Sequence, residues 1–161
     1  MIKLIGTCLI GMLTLSVWAQ PNSYEVNQLD SLQYIEKRPV VFFIHTDWCS
    51  ICHGMENQVI NDSIVSAELN THFYYVPFNA ESEEAVYFKG KKYTYQNNGV
   101  GNGKHKLAML LADKEGEIAF PSTVILMNND VIYKNNSYIT EKDLMAVLIA
   151  IKDRAIGSLI K

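Results

Sequence analysis

Apolar and polar positions along this chain fall into blocks whose spacing changes from one to the next. Leu29, Leu32 and Ile35 recur at helical spacing among Asp30, Gln33, Glu36 and Lys37, and Pro39 stops that helix. Val40 to Ile44 is then apolar without a break, the pattern of a strand buried on both faces. Ile51, Met55, Gln58 and Val59 predict a helix to about Ile60. Asn61-Asp62-Ser63 interrupts it, and Asp62 or Ser63 can cap a second helix through Ile64, Val65, Ala67 and Leu69. His72 to Phe78 is aromatic and β-branched, hence a strand, with Pro77 near its end. Ala85 to Phe88 and Lys92 to Tyr95 read as short strands around Lys89-Gly90-Lys91, and Gln96 to Gly103 as loop. His105 to Ala112 is helical and Asp113 to Glu117 a turn. Phe120 to Met127 is a buried strand opened by Pro121, Asn128-Asn129-Asp130 a hairpin turn, and Val131 to Lys134 the returning strand. Thr140, with Asp143 three positions on, caps a last helix whose apolar face is Leu144, Val147, Leu148 and Ile151. Pro21 to Asn27 is polar and expected to be a mobile lead-in.

This order implies an α/β fold: a parallel βαβ unit followed by an antiparallel hairpin, giving a mixed sheet with helices on both faces. At 161 residues, with 48% hydrophobic and 19% charged residues, the chain suits one domain with a substantial core. The formal net charge of −3 gives no sign of a nucleic-acid partner, and Lys89-Gly90-Lys91-Lys92 reads as a solvated turn.

The N-terminus changes the picture. Met1-Ile2-Lys3 supplies a positive start, Leu4 to Val17 is apolar, and Val17-Trp18-Ala19 offers a cleavage site before Gln20. Residues 1–19 are therefore expected to be a cleaved signal peptide, and 20–161 the domain. The rival, a membrane anchor, needs about 20 apolar residues, more than this run holds. Export to the periplasm is the expected setting, with secretion as its variant. Of three cysteines, Cys8 leaves with the leader, and Cys49 and Cys52 remain. A loop so short makes a weak staple for a domain, because the gain from a cross-link grows with loop length. An exported protein meets disulfide-forming conditions, so the pair reads as a redox couple. A buried strand delivering Cys49 to a helix N-terminus favours its thiolate.

Several pieces carry a resemblance: Arg38-Pro39-Val40-Val41, Asp47-Trp48-Cys49-Ser50-Ile51-Cys52-His53-Gly54-Met55-Glu56, Asn61-Asp62-Ser63-Ile64-Val65, Leu69-Asn70-Thr71-His72-Phe73 and Phe120-Pro121-Ser122-Thr123-Val124-Ile125-Leu126. Together with the final helix they resemble the thioredoxin-fold superfamily. They are similar in particular to exported thioredoxin-like domains related to the C-terminal domain of thiol:disulfide interchange proteins. The resemblance spans about Leu29 to Lys152 apart from an insert over 79–106. It implies a thioredoxin-like three-layer sandwich, the insert preceding a strand that begins at a cis-proline. Pro121 would be that proline, resting against the cysteines, with Phe120 presenting backbone to the substrate chain. The sequence departs from the family in three places. Phe43 stands where many members bury an acid, the insert is long, and no glycine follows the terminal hairpin at Asn135-Asn136-Ser137.

The implied activity is thiol–disulfide exchange with protein thiols and disulfides, Cys49 attacking and Cys52 resolving. Trp48 would offer a flat surface to substrate, Asp47 would tune the local field, and His53 would exchange a proton if it faces Cys52. His45 is read as packing. No cofactor is expected beyond the cysteine pair, nor a metal. The electron donor or acceptor would be a membrane-bound or soluble thiol partner, and the chain a monomer. Ser50-Ile51 leaves the direction of electron flow open. Two alternatives stand beside this: Cys49-x-x-Cys52-His53 as a c-type haem attachment site with an axial Met, and a non-catalytic binding module with an inert disulfide or a zinc ion on Cys49, Cys52, His45 and His53. Tyr87, Tyr93 and Tyr95 of the insert read either as a partner-selecting rim or as cover for a sheet edge.

Overall fold

The run Val40–His45 forms β1, one of two inner strands of a four-stranded sheet ordered β2–β1–β7–β8. The computed structural model describes residues 20–99 and 103–159. The signal peptide expected over 1–19, Cys8 included, and Val100, Gly101 and Asn102 of the expected loop lie outside them. The helices and strands in chain order are α1 (Leu29–Ile35), β1, α2 (Ser50–Met55), α3 (Ser63–His72), β2 (Tyr74–Asn79), β3 (Val86–Phe88), β4 (Lys91–Tyr93), β5 (Tyr95–Gln96), β6 (Lys104–His105), α4 (Lys106–Ala112), β7 (Ser122–Met127), β8 (Asp130–Asn135) and α5 (Glu141–Leu159). β1 runs parallel to β2 and antiparallel to β7, which pairs antiparallel with β8. The mixed sheet with helices on both faces is the thioredoxin-like arrangement.

The unbroken apolar run has a simple cause. Side chains alternate faces along a strand, and here both faces are covered. Val40, Phe42 and Ile44 enter one core layer with Leu29, Phe88, Leu107 and Val124. Val41 and Phe43 enter the other with Cys49, Cys52, Met55, Leu69, Ile125 and Leu144. The cysteines thus belong to the layer covered by α2, α3 and α5.

Local signals account for most ends. Asp62 caps α3, its carboxylate accepting from Ile64 N (2.8 Å) and Val65 N (3.1 Å). Thr140 Oγ1 accepts from Asp143 N at 3.2 Å at the start of α5. α2 runs on as a π-turn over Glu56–Ile60, closed by Asn61 N donating to Glu56 O at 2.9 Å. Pro77 lies in edge strand β2. Tyr75 O on that strand accepts from Tyr24 N outside the sheet, so by alternation Pro77 also turns outward, where its missing N–H costs no ladder bond.

One expectation is corrected. The lead-in is ordered: Tyr24 N donates to Tyr75 O at 2.8 Å, the Tyr24 ring meets Tyr74 edge to face, and Val26 is buried in a short 3₁₀ turn. Two apolar anchors suffice to dock a segment whose composition is otherwise polar. Ile35 and Ile51 lie in the helices their spacing predicts and are exposed. α1 ends at Ile35, so no further turn carries that stripe inward. Ile51 sits in the first turn of α2, beyond the sheet. The insert meets the main sheet through Phe88, whose ring packs edge to face on Phe42. Its β3–β4 hairpin forms no ladder with the main sheet and packs on its face, with the Phe88 ring 5.8 Å from Phe42.

That hairpin is strapped down by side-chain acceptors. Asp30 takes Lys89 N and Gly90 N at 3.0 Å each, and Asn27 takes Tyr87 N at 2.7 Å. The segment read as loop from Gln96 to Gly103 has paired ends, β5 lying against β6. Gly103 allows this, because a Cβ there would stand 2.2 Å from Gln96 O. At the neck, His105 N donates to Ala80 O at 2.7 Å, closing the insert on itself.

His105 is fully buried and caps α4: its Nδ1 accepts from Leu107 N (3.1 Å), which leaves Nε2–H to donate to Glu84 O (3.1 Å). Burial lowers its pKa, against the opposing pull of its backbone hydrogen bonds. In the unfolded chain His105 binds a proton near the ordinary pKa of about 6.5, whereas the folded protein resists it. His105 therefore contributes stability above that value, lost as pH falls through the folded pKa. His45, also lowered mainly by burial, adds in the same direction. His105→Asn keeps an acceptor at the cap and removes the titration. Its urea midpoint is expected to fall less steeply with pH below about 6.5 than that of the parent. Parallel slopes would assign the acid sensitivity elsewhere.

Candidate active site

The site begins where β1 ends. Cys49 N donates to Thr46 O at 3.1 Å, turning the chain into α2, and Cys49 caps that helix. Its backbone is extended, and its Sγ accepts from Cys52 N at 3.1 Å. A sulfur at a helix N-terminus receiving an N–H is placed to carry negative charge. Cys49 and Cys52 are joined as a disulfide, their Cα atoms 5.2 Å apart. Cys49 keeps 6% of its surface and Cys52 1%. Cys49 is thus the less buried of the two.

The flanking residues predicted from sequence are gathered here. Trp48 is 63% exposed and Ile51 57%, so apolar surface stands on both sides of Cys49. The peptide between Phe120 and Pro121 is cis. Phe120 meets the Trp48 ring edge to face at 6.1 Å and packs against the layer holding the cysteines. Asp47 Oδ1 accepts from Asn79 Nδ2 at 2.9 Å, and the Asp47 carbonyl accepts from His53 Nε2, also at 2.9 Å. His53 is thus committed at Nε2 to the loop before the cysteines. His45 stacks on Phe43 at 5.7 Å, as packing would have it. Phe43 is buried, so no acid stands at that position.

Sequence reasoning missed Asn79, Glu81 and Lys104. The Trp48 indole N–H donates to Glu81 Oε2 at 3.0 Å, and Lys104 Nζ lies 2.6 Å from Glu81 Oε1. Each is an ordinary polar residue in its own segment, with no periodicity or motif to mark it. Only the neck of the insert brings them to Trp48.

A cleft of about 420 Å³ lies elsewhere, between the lead-in and the end of β2, lined by residues such as Tyr24, Val26, Pro77 and Val86. It includes neither cysteine. Cys49 and Cys52 are themselves largely buried, with the exposed apolar side chains of Trp48 and Ile51 beside Cys49 in the chain. No group of three or more His, Cys, Asp or Glu arranged to hold a metal is found among the described residues. The geometry does not suit haem attachment: both sulfurs are sunk in the core layer, and the His53 Nε2 an iron would need holds a backbone carbonyl.

Comparison with known proteins agrees with this layout. The family model described as thioredoxin-like domain matches residues 28–152. No curated protein matches the chain. Among solved structures, a thioredoxin from Thermus thermophilus superposes with a TM-score of 0.61 at 15% identity, covering 84% of this chain and 90% of its own. A DsbH oxidoreductase gives 0.58 at 14% identity, covering 91% and 95%. A disulphide isomerase from Xylella fastidiosa Temecula1 gives 0.53 at 14% identity, covering 91% and 98%. At such identities the likeness is one of fold.

Proposed function

The chain belongs to the thioredoxin-like domain family, and from that premise we propose that it is a thiol–disulfide oxidoreductase acting on protein thiols and disulfides. The observation that carries this reading is the asymmetry of the pair. Cys49 is the less buried residue and its Sγ accepts an N–H at a helix start, while Cys52 is almost fully buried.

In the reducing direction, Cys49 thiolate attacks a substrate disulfide, forming a mixed disulfide and expelling one substrate thiolate. Cys52, losing its proton, then attacks Cys49 Sγ, and the second substrate sulfur leaves. The protein ends as the Cys49–Cys52 disulfide and the substrate gains two electrons and two protons, one proton from Cys52 and one from solvent. The oxidising direction is the reverse. Trp48, Ile51 and Phe120 supply the surface against which a substrate chain lies, and Asp47 and His53 fix the loop carrying Cys49. The couple itself is the only redox group the chemistry needs, with a membrane-bound or soluble thiol partner as donor or acceptor. The leader expected over residues 1–19 would carry this monomer to a compartment where protein disulfides form.

Two measurements test the proposal. Wild-type protein should accelerate insulin precipitation above the rate with dithiothreitol alone, and a background rate would discard the enzyme. The potential of the couple against glutathione is expected between about −270 and −120 mV, the first value marking a reductase and the second an oxidant. A disulfide that glutathione and dithiothreitol both leave intact would mark a structural staple.

A further inference from the structure

Four side chains from four separate segments close a ring beside Cys49. The Trp48 indole donates to Glu81 Oε2 at 3.0 Å. Lys104 Nζ donates to Glu81 Oε1 at 2.6 Å and stands 5.7 Å from the centroid of the Phe120 ring. That ring meets Trp48 at 6.1 Å, so every member touches two others. The ion pair is partly buried, its side chains 27% and 15% exposed, and is less screened than one in open solvent. Glu81 and Lys104 come from the two ends of the insert, tied together at its neck by the bond from His105 N to Ala80 O. Glu81 N also donates to Asn79 Oδ1, and Asn79 Nδ2 to Asp47, so the neck grips the reactive loop at a second point.

We infer that Lys104 is a positioning residue for exchange with protein disulfides, holding Trp48 and Phe120 as two fixed walls beside Cys49. This rests on the oxidoreductase reading above. Lys104 reaches Trp48 through a charge-assisted bond to Glu81 and reaches Phe120 through cation–π contact. With Cys49 only 6% exposed, a disulfide inside a folded or extended chain must enter along the path these walls leave. A small disulfide needs no such path. The insert therefore acts on the chemistry through its neck, while Tyr87 and Tyr93 stand outside the ring.

Lys104→Met keeps an aliphatic stem on Phe120 and removes the charge, and Lys104→Arg restores a cation. Both are made in the full chain with Trp18→Phe, which leaves Trp48 as the one indole. In Lys104→Met, kcat/KM for insulin reduction is expected to fall about tenfold, the scale of a misplaced binding wall. Reaction of the reduced protein with dithiobis(nitrobenzoate) should stay within about twofold, because that reagent needs only the sulfur. Trp48 emission in the oxidised protein should shift to the red. Lys104→Arg should return both the insulin rate and the emission. An equal loss on both disulfides, or an unshifted emission in Lys104→Met, overturns the inference. Absence of insulin turnover in the parent overturns the oxidoreductase reading instead, and the emission shift then decides the positioning alone.

Discussion

On the proposed mechanism, Cys49→Ser is expected to abolish insulin reduction, a loss of roughly a thousandfold or more, because the other cysteine among the described residues, Cys52, is almost fully buried. Cys52→Ser abolishes turnover as fully but by a different route. Cys49 still attacks, the intermediate has no resolving thiol, and substrate stays covalently attached. On a non-reducing gel Cys52→Ser should carry an adduct that dithiothreitol releases, and Cys49→Ser should carry none. Both variants lose the same disulfide, so stability cannot explain a difference between them. In the chain-entropy model that loss costs only about 2 kcal/mol, since so few residues lie between the two cysteines. An adduct on Cys49→Ser in place of Cys52→Ser would reverse the assigned roles, and equal background rates with no adduct on either would remove exchange altogether. The exposures of 6% and 1% are what commit the roles in this order.

The largest stability effect is expected at Phe42. Its side chain is fully buried on inner strand β1, between β2 and β7, and the Phe88 ring from the insert packs on it edge to face. Phe42→Ala removes that ring and leaves a cavity the sheet cannot close, since β1 is held by backbone ladders on both sides. The expected cost is about 3–5 kcal/mol, a large fraction of the 5–15 kcal/mol typical of a whole domain. A drop in urea midpoint at unchanged slope would measure it. Phe88→Ala should cost less, because its hairpin is also held by Asp30 and Asn27. A Phe42→Ala cost below about 1.5 kcal/mol would mean that the insert side of the sheet is loosely packed.

The success of sequence reading varied with the range of the interaction involved. Val40 to Ile44 declared a doubly covered strand, because alternating residues must each find an apolar layer. Asp62 and Thr140 marked helix starts, since a cap acts within a few residues of itself. Their spacing placed Ile35 and Ile51 in helices without showing that both are exposed. Helical spacing says which residues share a stripe, and burial depends on whether another element faces that part of it. Tyr24 and Val26 failed in the opposite sense: a mostly polar segment docks when two side chains find the edge and end of β2.

Taken alone, the chain determined its strand-to-helix delivery of Cys49 and Cys52, the alternation that makes a mixed sheet, and the candidate pair itself. Those features are written in contiguous residues, where period, capping and spacing act. The ring of Trp48, Glu81, Lys104 and Phe120 was decided by tertiary structure alone, as were the seat of His53 on Asp47 and the seat of the insert on Phe42. Each joins side chains brought together by the folded sheet, and a single polar residue carries no local mark of the partner it will meet.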